Sequence, residues 1–303
     1  MKRIRTNVLV VCLIASMLFL VPTTISKADG IGNDEDYTPF LSLGADLKES
    51  ERSDVLSLMG LTQEQVDDFD VIEVTNEEEK QYLGEYLDAS VIGTRALSSA
   101  LIIKKEDGYG ITVETHNINY CTQGMYCNAL VTAGVKNAQM VVAGPFEITG
   151  TAALIGAMES YSVMMGEEIT QETMDTAVNE LVLTGSLAEK IGDSQKAEEL
   201  MAMVKQQIVE GKLTSPEEIK LAIEDAAGEL NLNLTEEQLD TIKALMEKIS
   251  KLDLDADTIK EQANRIFDKL DDMGVDTDKI GTSFSNFFQE LMQAIVEFFK
   301  GLF

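Results

Sequence analysis

Tryptophan is absent from the 303 residues, and histidine occurs once, as His116. Without tryptophan the chain lacks the usual stacking platform for sugars and quaternary amines. One histidine excludes any multi-histidine zinc or iron site, so neither a metal nor a cofactor is expected. Basic residues are scarce as well: 24 Lys and Arg stand against 53 Asp and Glu, a formal net charge of −29. That sign repels phosphate backbones, which excludes nucleic acid as a partner, and it suits solubility outside a cell. Hydrophobic residues make up 45% of the chain with no long low-complexity tract, enough for one large or two smaller cores.

The long apolar run that does exist is N-terminal and short. Lys2, Arg3 and Arg5 precede 14 apolar-dominated residues from Val8 to Val21, and Ser26-Lys27-Ala28 places small residues at −3 and −1 before Asp29. This is the pattern of a secretory signal peptide over residues 1–28, too short to span a bilayer comfortably. Cys12 lies inside the run, too early for a lipoprotein cleavage site. Cleavage after Ala28 removes four bases (Lys2, Arg3, Arg5, Lys27) and no acid, so the 275-residue mature chain carries −33. The expected location is extracellular, at or near the cell surface. Of three cysteines, Cys121 and Cys127 remain in the mature chain. Their close spacing at a loop-to-helix junction in an exported protein predicts a disulfide, which would stabilise by about 2 kcal/mol.

Two regions follow the polar stretch 29–38. Residues 38–165 alternate short β-like runs (Phe40–Ala45, Val71–Val74, Arg95–Lys105, Tyr109–Ile118, Ala138–Ala143) with helical patterns. Asp107-Gly108 between the third and fourth runs predicts a β-hairpin, and Gly144-Pro145 predicts the end of the fifth. From residue 166 to 281 the β signals vanish. Helix starts recur there as an apolar residue, an N-cap and a second apolar residue, at Thr170, Thr235, Asp255 and Asp276, with a proline-led start at Ser215-Pro216. The expected fold class is α+β: a small N-terminal sheet domain with helices, then an α-helical C-terminal region. The last segment, 282–303, places Phe284, Phe287, Phe288, Leu291, Ile295, Phe298 and Phe299 at helical spacing. Such an amphipathic helix packs on its own bundle, on another subunit or partner, or peripherally on a membrane.

Candidates for chemistry are few. Strand alternation puts Thr112, Glu114, His116 and Ile118 on one face, where a carboxylate two residues from an imidazole could orient a general base. Ser98 or Ser99 on the neighbouring run would be the nucleophile, but no G-x-S-x-G elbow accompanies them. Asp253, Asp255 and Asp257 imitate the start of an EF-hand loop. Thr258 stands where that loop needs glycine and Asn264 where it needs glutamate, so they read as helix caps.

The segments LGADLKES (43–50), VTNEEEKQYLGEYL (74–87), ITVETHNI (111–118), ALVTAGVKNAQMVVAGPFEITGTAAL (129–154) and ELVLTGSLAEKIGD (180–193) resemble the YpuA-type family of secreted Gram-positive bacterial proteins, which carry a domain of unknown function. The resemblance spans about Leu41 to Asp193, most specifically in 129–154. It implies export, an envelope setting and the two-part layout, and it transfers no catalytic residue. The combined expectation is a secreted, acidic, non-enzymatic cell-envelope protein that binds or scaffolds, with an envelope component or a second copy of itself as partner. The alternative is an envelope-associated hydrolase using Glu114 and His116.

Overall fold

The computed structural model describes residues 39–67 and 69–271. The stretch 1–28, the cap at Asp276 and the Phe-rich stretch 282–303 therefore lie outside the described residues. The strands are β1 (Phe40–Gly44), β2 (Asp70–Val74), β3 (Ser99–Lys104), β4 (Ile111–Ile118) and β5 (Ala138–Ile148). The helices are α1 (Glu49–Leu58), α2 (Gln63–Val66), α3 (Asn76–Leu83), α4 (Ala89–Ile92), α5 (Gln123–Thr132), α6 (Thr151–Met165), α7 (Gln171–Ile191), α8 (Ser194–Gly211), α9 (Pro216–Glu229), α10 (Glu236–Ile249) and α11 (Ala256–Asp271). The class is α+β.

The strands form one sheet in the order β2-β1-β3-β5-β4, with β1 and β2 parallel, β3 antiparallel to both neighbours, and β4 parallel to β5. The expected hairpin between the third and fourth runs does not form, because β5 lies between them. Asn137, just before β5, occupies the gap. Its carbonyl accepts from Lys105 N at 2.9 Å and its Oδ1 from Gly110 N at 3.0 Å. Composition explains the choice. Ser99 to Ile103 in β3 are all buried, which suits a central strand, whereas β4 carries Glu114, His116 and Asn117 and tolerates an edge. Gly144-Pro145 does not end β5 either. Beyond the Ser99–Ala143 pair β3 no longer runs alongside, and a register shift opposite Gly144-Pro145, between His116 and Ile118, accommodates the missing proline donor.

One sheet face is covered by α1 and α2 through Leu41, Leu43, Leu101, Ile103, Val55 and Leu56. The other meets α5 and α6. Helix α6 is buried almost continuously from Thr151 to Met158, as a helix between two packed surfaces should be. Its Gly156 lies so close to β1 that a Cβ there would come within 1.7 Å of Ser42 Oγ.

The helical region is not a separate body at its first helix. Met174, Ala177, Val178, Leu181 and Val182 of α7 belong to the same hydrophobic cluster as α5, α6 and the inner strands, and Ile259 of α11 joins them. Helices α8, α9 and α10 close a second cluster with Leu187 from the end of α7. The predicted caps are in place: Thr170, Ser215 and Thr235 each accept a backbone N–H three residues on, and Asp255 Oδ1 accepts from Thr258 N at 2.8 Å. A buried ionic network ties α5, α7 and α8 together. Lys205 Nζ donates to Glu180 Oε1 at 2.8 Å, Asn128 O at 2.8 Å and Thr132 Oγ1 at 3.1 Å. Burial pulls the Lys205 ammonium below the ordinary lysine range while Glu180 opposes the shift. With every donor of Lys205 used, this network serves the fold.

Candidate functional site

Strand β4 is an edge strand, and its alternation decides what each residue can offer. Ala138 N donates to Gly110 O at 2.9 Å, so even-numbered backbone groups of β4 face β5 and odd-numbered ones face outward. Side-chain amide and thiol cover the first outward residue: Ile111 N donates to Gln262 Oε1 at 3.2 Å, and Cys127 Sγ lies 3.8 Å from Ile111 O as donor. For the outward N–H and C=O of Val113 and Thr115, no partner stands among the described residues. They open onto a groove of about 680 Å³, within the range typical of ligand sites.

Three helices wall this groove. Gln262, Arg265 and Ile266 come from α11, Ser194, Gln195 and Glu198 from the start of α8, and Gly124 and Cys127 from α5, with Ile118, Tyr120 and Cys121 completing the floor. The two ends differ in charge. At the Ile111 end, Arg265 Nη2 donates to Gly108 O at 3.1 Å, which leaves further guanidinium donors available. At the Ile118 end, Glu198 Oε1 accepts from Thr122 Oγ1, the N-cap of α5, at 2.5 Å, and the carboxylate lies against Gly124, where any Cβ would clash. Burial pushes the Cys121 thiol and the Tyr120 hydroxyl each up to about 12, so both stay neutral and hold rather than attack.

Cys121 and Cys127, expected to form a disulfide, are both buried, and no bridge joins them here. Helix α5 begins at Gln123, between the two cysteines. Their partners also differ, Tyr126 for Cys121 and the Ile111 carbonyl for Cys127.

Glu114 and His116 do share a face, with Oε1 and Nε2 3.1 Å apart, and Thr112 is in phase with them. Ile118 is not. The bulge at Asn117, whose φ is +56° and whose Nδ2 donates to Gly144 O at 3.0 Å, rotates Ile118 to the opposite face and into the groove. Among the described residues, no serine completes a triad. Ser99 and His116 both pair with Ala143, which puts one strand between them and about 9.5 Å across the sheet. Ser99 Oγ is buried against Gly44 N at 3.1 Å, and Ser98 Oγ accepts from Ala153 N at 3.0 Å. Asp255, from the EF-hand-like run, pairs with Lys136 at 3.2 Å, and no group of three or more metal-ligating side chains occurs among the described residues.

Sequence reasoning passed over Gln262, Arg265 and Glu198. Their partners are 76 to 157 residues away in the chain, so no local spacing could announce them.

Residues 43–266 match the family described as Protein of unknown function (DUF1002), and the chain belongs to that family. It is 38% identical over 293 residues to the uncharacterized protein YpuA of Bacillus subtilis (strain 168), a match covering 95% of this chain and 97% of that protein. No solved structure matches.

Proposed function

We propose that this member of the DUF1002 family is a secreted, non-enzymatic protein of the cell envelope that works by binding, with the groove beside β4 as its binding surface. The observation that carries the reading is the unpaired outward edge at Val113 and Thr115 inside a walled groove. Exposed strand edges are ordinarily blunted by charge, proline or a covering element. Here the strand keeps a recognition-ready edge and leaves its charged pair, Glu114 and His116, on the other face. The net charge of −33 in the mature chain, a signal-peptide pattern and the scarcity of activated nucleophiles in the groove agree with a role in holding a ligand outside the cytoplasm. The Phe-rich stretch 282–303 offers a second contact surface toward an envelope partner, another copy or a membrane.

The test is retention on the envelope. Thr115→Pro removes the outward N–H and leaves the ladder to β5 untouched, a substitution edge strands tolerate. Cells producing the variant should release it to the medium while the native chain stays with the envelope fraction. Equal retention of two equally folded proteins would reject the groove as the working surface. The hydrolase alternative rests on the 3.1 Å contact between His116 and Glu114. It requires purified protein to degrade envelope polymer and to lose that activity in a folded His116→Ala variant.

A further inference from the structure

We infer that the ligand of the β4 groove is a short, extended peptide with a free C-terminal carboxylate, bound antiparallel to β4 as a sixth strand of the sheet. The inference rests on the proposed binding role of this groove and names its ligand class.

The backbone geometry selects an extended polypeptide. Val113 and Thr115 present N–H and C=O pairs about 6.6 Å apart, the two-residue repeat of a strand. One peptide residue would exchange both bonds with Val113, and the residue two positions toward the peptide's N-terminus would do the same with Thr115. The protein already makes this bond once with a side chain, since the Gln262 carboxamide oxygen takes the Ile111 N–H at 3.2 Å where a further strand's carbonyl would otherwise sit. A helix laid in the groove would bury these four edge groups without partners, at a cost of about 1–3 kcal/mol each.

Charge selects the direction and the carboxylate end. Arg265 stands beside the start of β4, where its Nη2 donates to Gly108 O. A peptide antiparallel to β4 directs its carboxylate toward Arg265, a guanidinium suited to that group. A parallel peptide brings its ammonium to that guanidinium instead. With the Ile111 edge groups already taken and the register shift following His116, the free stretch 112–116 fits roughly five peptide residues at about 3.3 Å each. The groove volume of about 680 Å³ suits a ligand of that length.

The experiment uses the full mature chain and two pools of pentapeptides built from Ala, Val and Thr, one with free ends and one N-acetylated and C-amidated. Amide exchange is followed by NMR at Val113 and Thr115. At ten times its Kd the free-ended pool should slow exchange at both residues by about tenfold. The blocked pool should bind about tenfold more weakly or worse, the loss expected for a charge-assisted contact. Arg265→Gln should weaken the free-ended pool by a similar factor and erase the difference made by the carboxylate. Absence of slowing with either pool at millimolar concentration overturns the inference, as does equal protection by both pools. If Thr115→Pro abolishes envelope retention and no peptide protects the edge, the ligand class falls while the groove reading stands. If peptides protect the edge and retention is unchanged by Thr115→Pro, the peptide site stands and the envelope role of the groove falls.

Discussion

Glu199 shows how one side chain sets a pH dependence for the fold. It is 1% exposed, and its Oε1 has no hydrogen-bond partner among the described residues. Burial, with lesser contributions from Asp193 and Glu198, raises its carboxyl from 4.5 to about 7. The folded state therefore prefers the protonated form. The stability this group permits is complete below about pH 4.5, is lost as pH rises toward about 7, and is flat above that. The shift corresponds to about 3 kcal/mol. Glu199→Gln should accordingly raise stability by that order at pH 8 and change it little at pH 4.5, measured by urea unfolding at both pH values. An equal effect at the two would contradict the assignment. Nothing in the local sequence marks this residue. Glu198 and Glu199 are neighbours of the same type, and only packing places one at the groove and the other in the interior.

At the scale of elements, β4 and α6 carry the argument. β4 was legible as a strand from its alternation, and the Glu114–His116 face was legible with it. Its place at the edge was not, because Asp107-Gly108 is a sound local hairpin signal that lost to burial. A strand buried on both faces, β5, gains more by sitting in the centre than β4 does. Helix α6 makes a sharper prediction. Its Gly156 has no room for a methyl, since a Cβ would meet Ser42 Oγ at 1.7 Å and Val74 Cγ2 at 2.9 Å. Helix propensity by itself favours Gly156→Ala by up to about 1 kcal/mol. The contact with β1 should outweigh it, so the variant should be less stable by about 1–3 kcal/mol in thermal or urea unfolding. A gain in stability would show that α6 shifts away from the sheet without penalty.

For the whole molecule, the question is whether the sheet region and the helical region behave as one. The described residues all fall in one compact unit. Helix α7 inserts five residues into the sheet-side cluster and hands Leu187 to the helical one, while Lys205 and Glu180 lock α8 to α7 and α5. No stretch of polar linker separates these surfaces. Unfolding of the mature chain in urea should therefore be a single cooperative transition, with far-ultraviolet circular dichroism and tyrosine fluorescence coincident. Two resolved transitions would show that the second cluster holds together without the first. The high negative charge adds self-repulsion to the folded state, which salt relieves, but it acts on solubility and partner choice more than on topology.

The sequence by itself determined the α+β class, the succession of strands and helices, the helix caps and the family. Each of these is written in short-range patterns: side-chain alternation, capping residues three apart, and contiguous similar segments. It also determined that Glu114 and His116 meet, because a strand places residues two apart on one face. Tertiary structure decided strand order, the burial of Cys121 and Cys127, the turn of Ile118 into the groove, and the groove itself. These depend on which surface wins burial when the chain closes on itself. The residues that define the groove, from Val113 and Thr115 on β4 to Glu198 on α8 and Arg265 on α11, become neighbours only through contacts that span much of the chain.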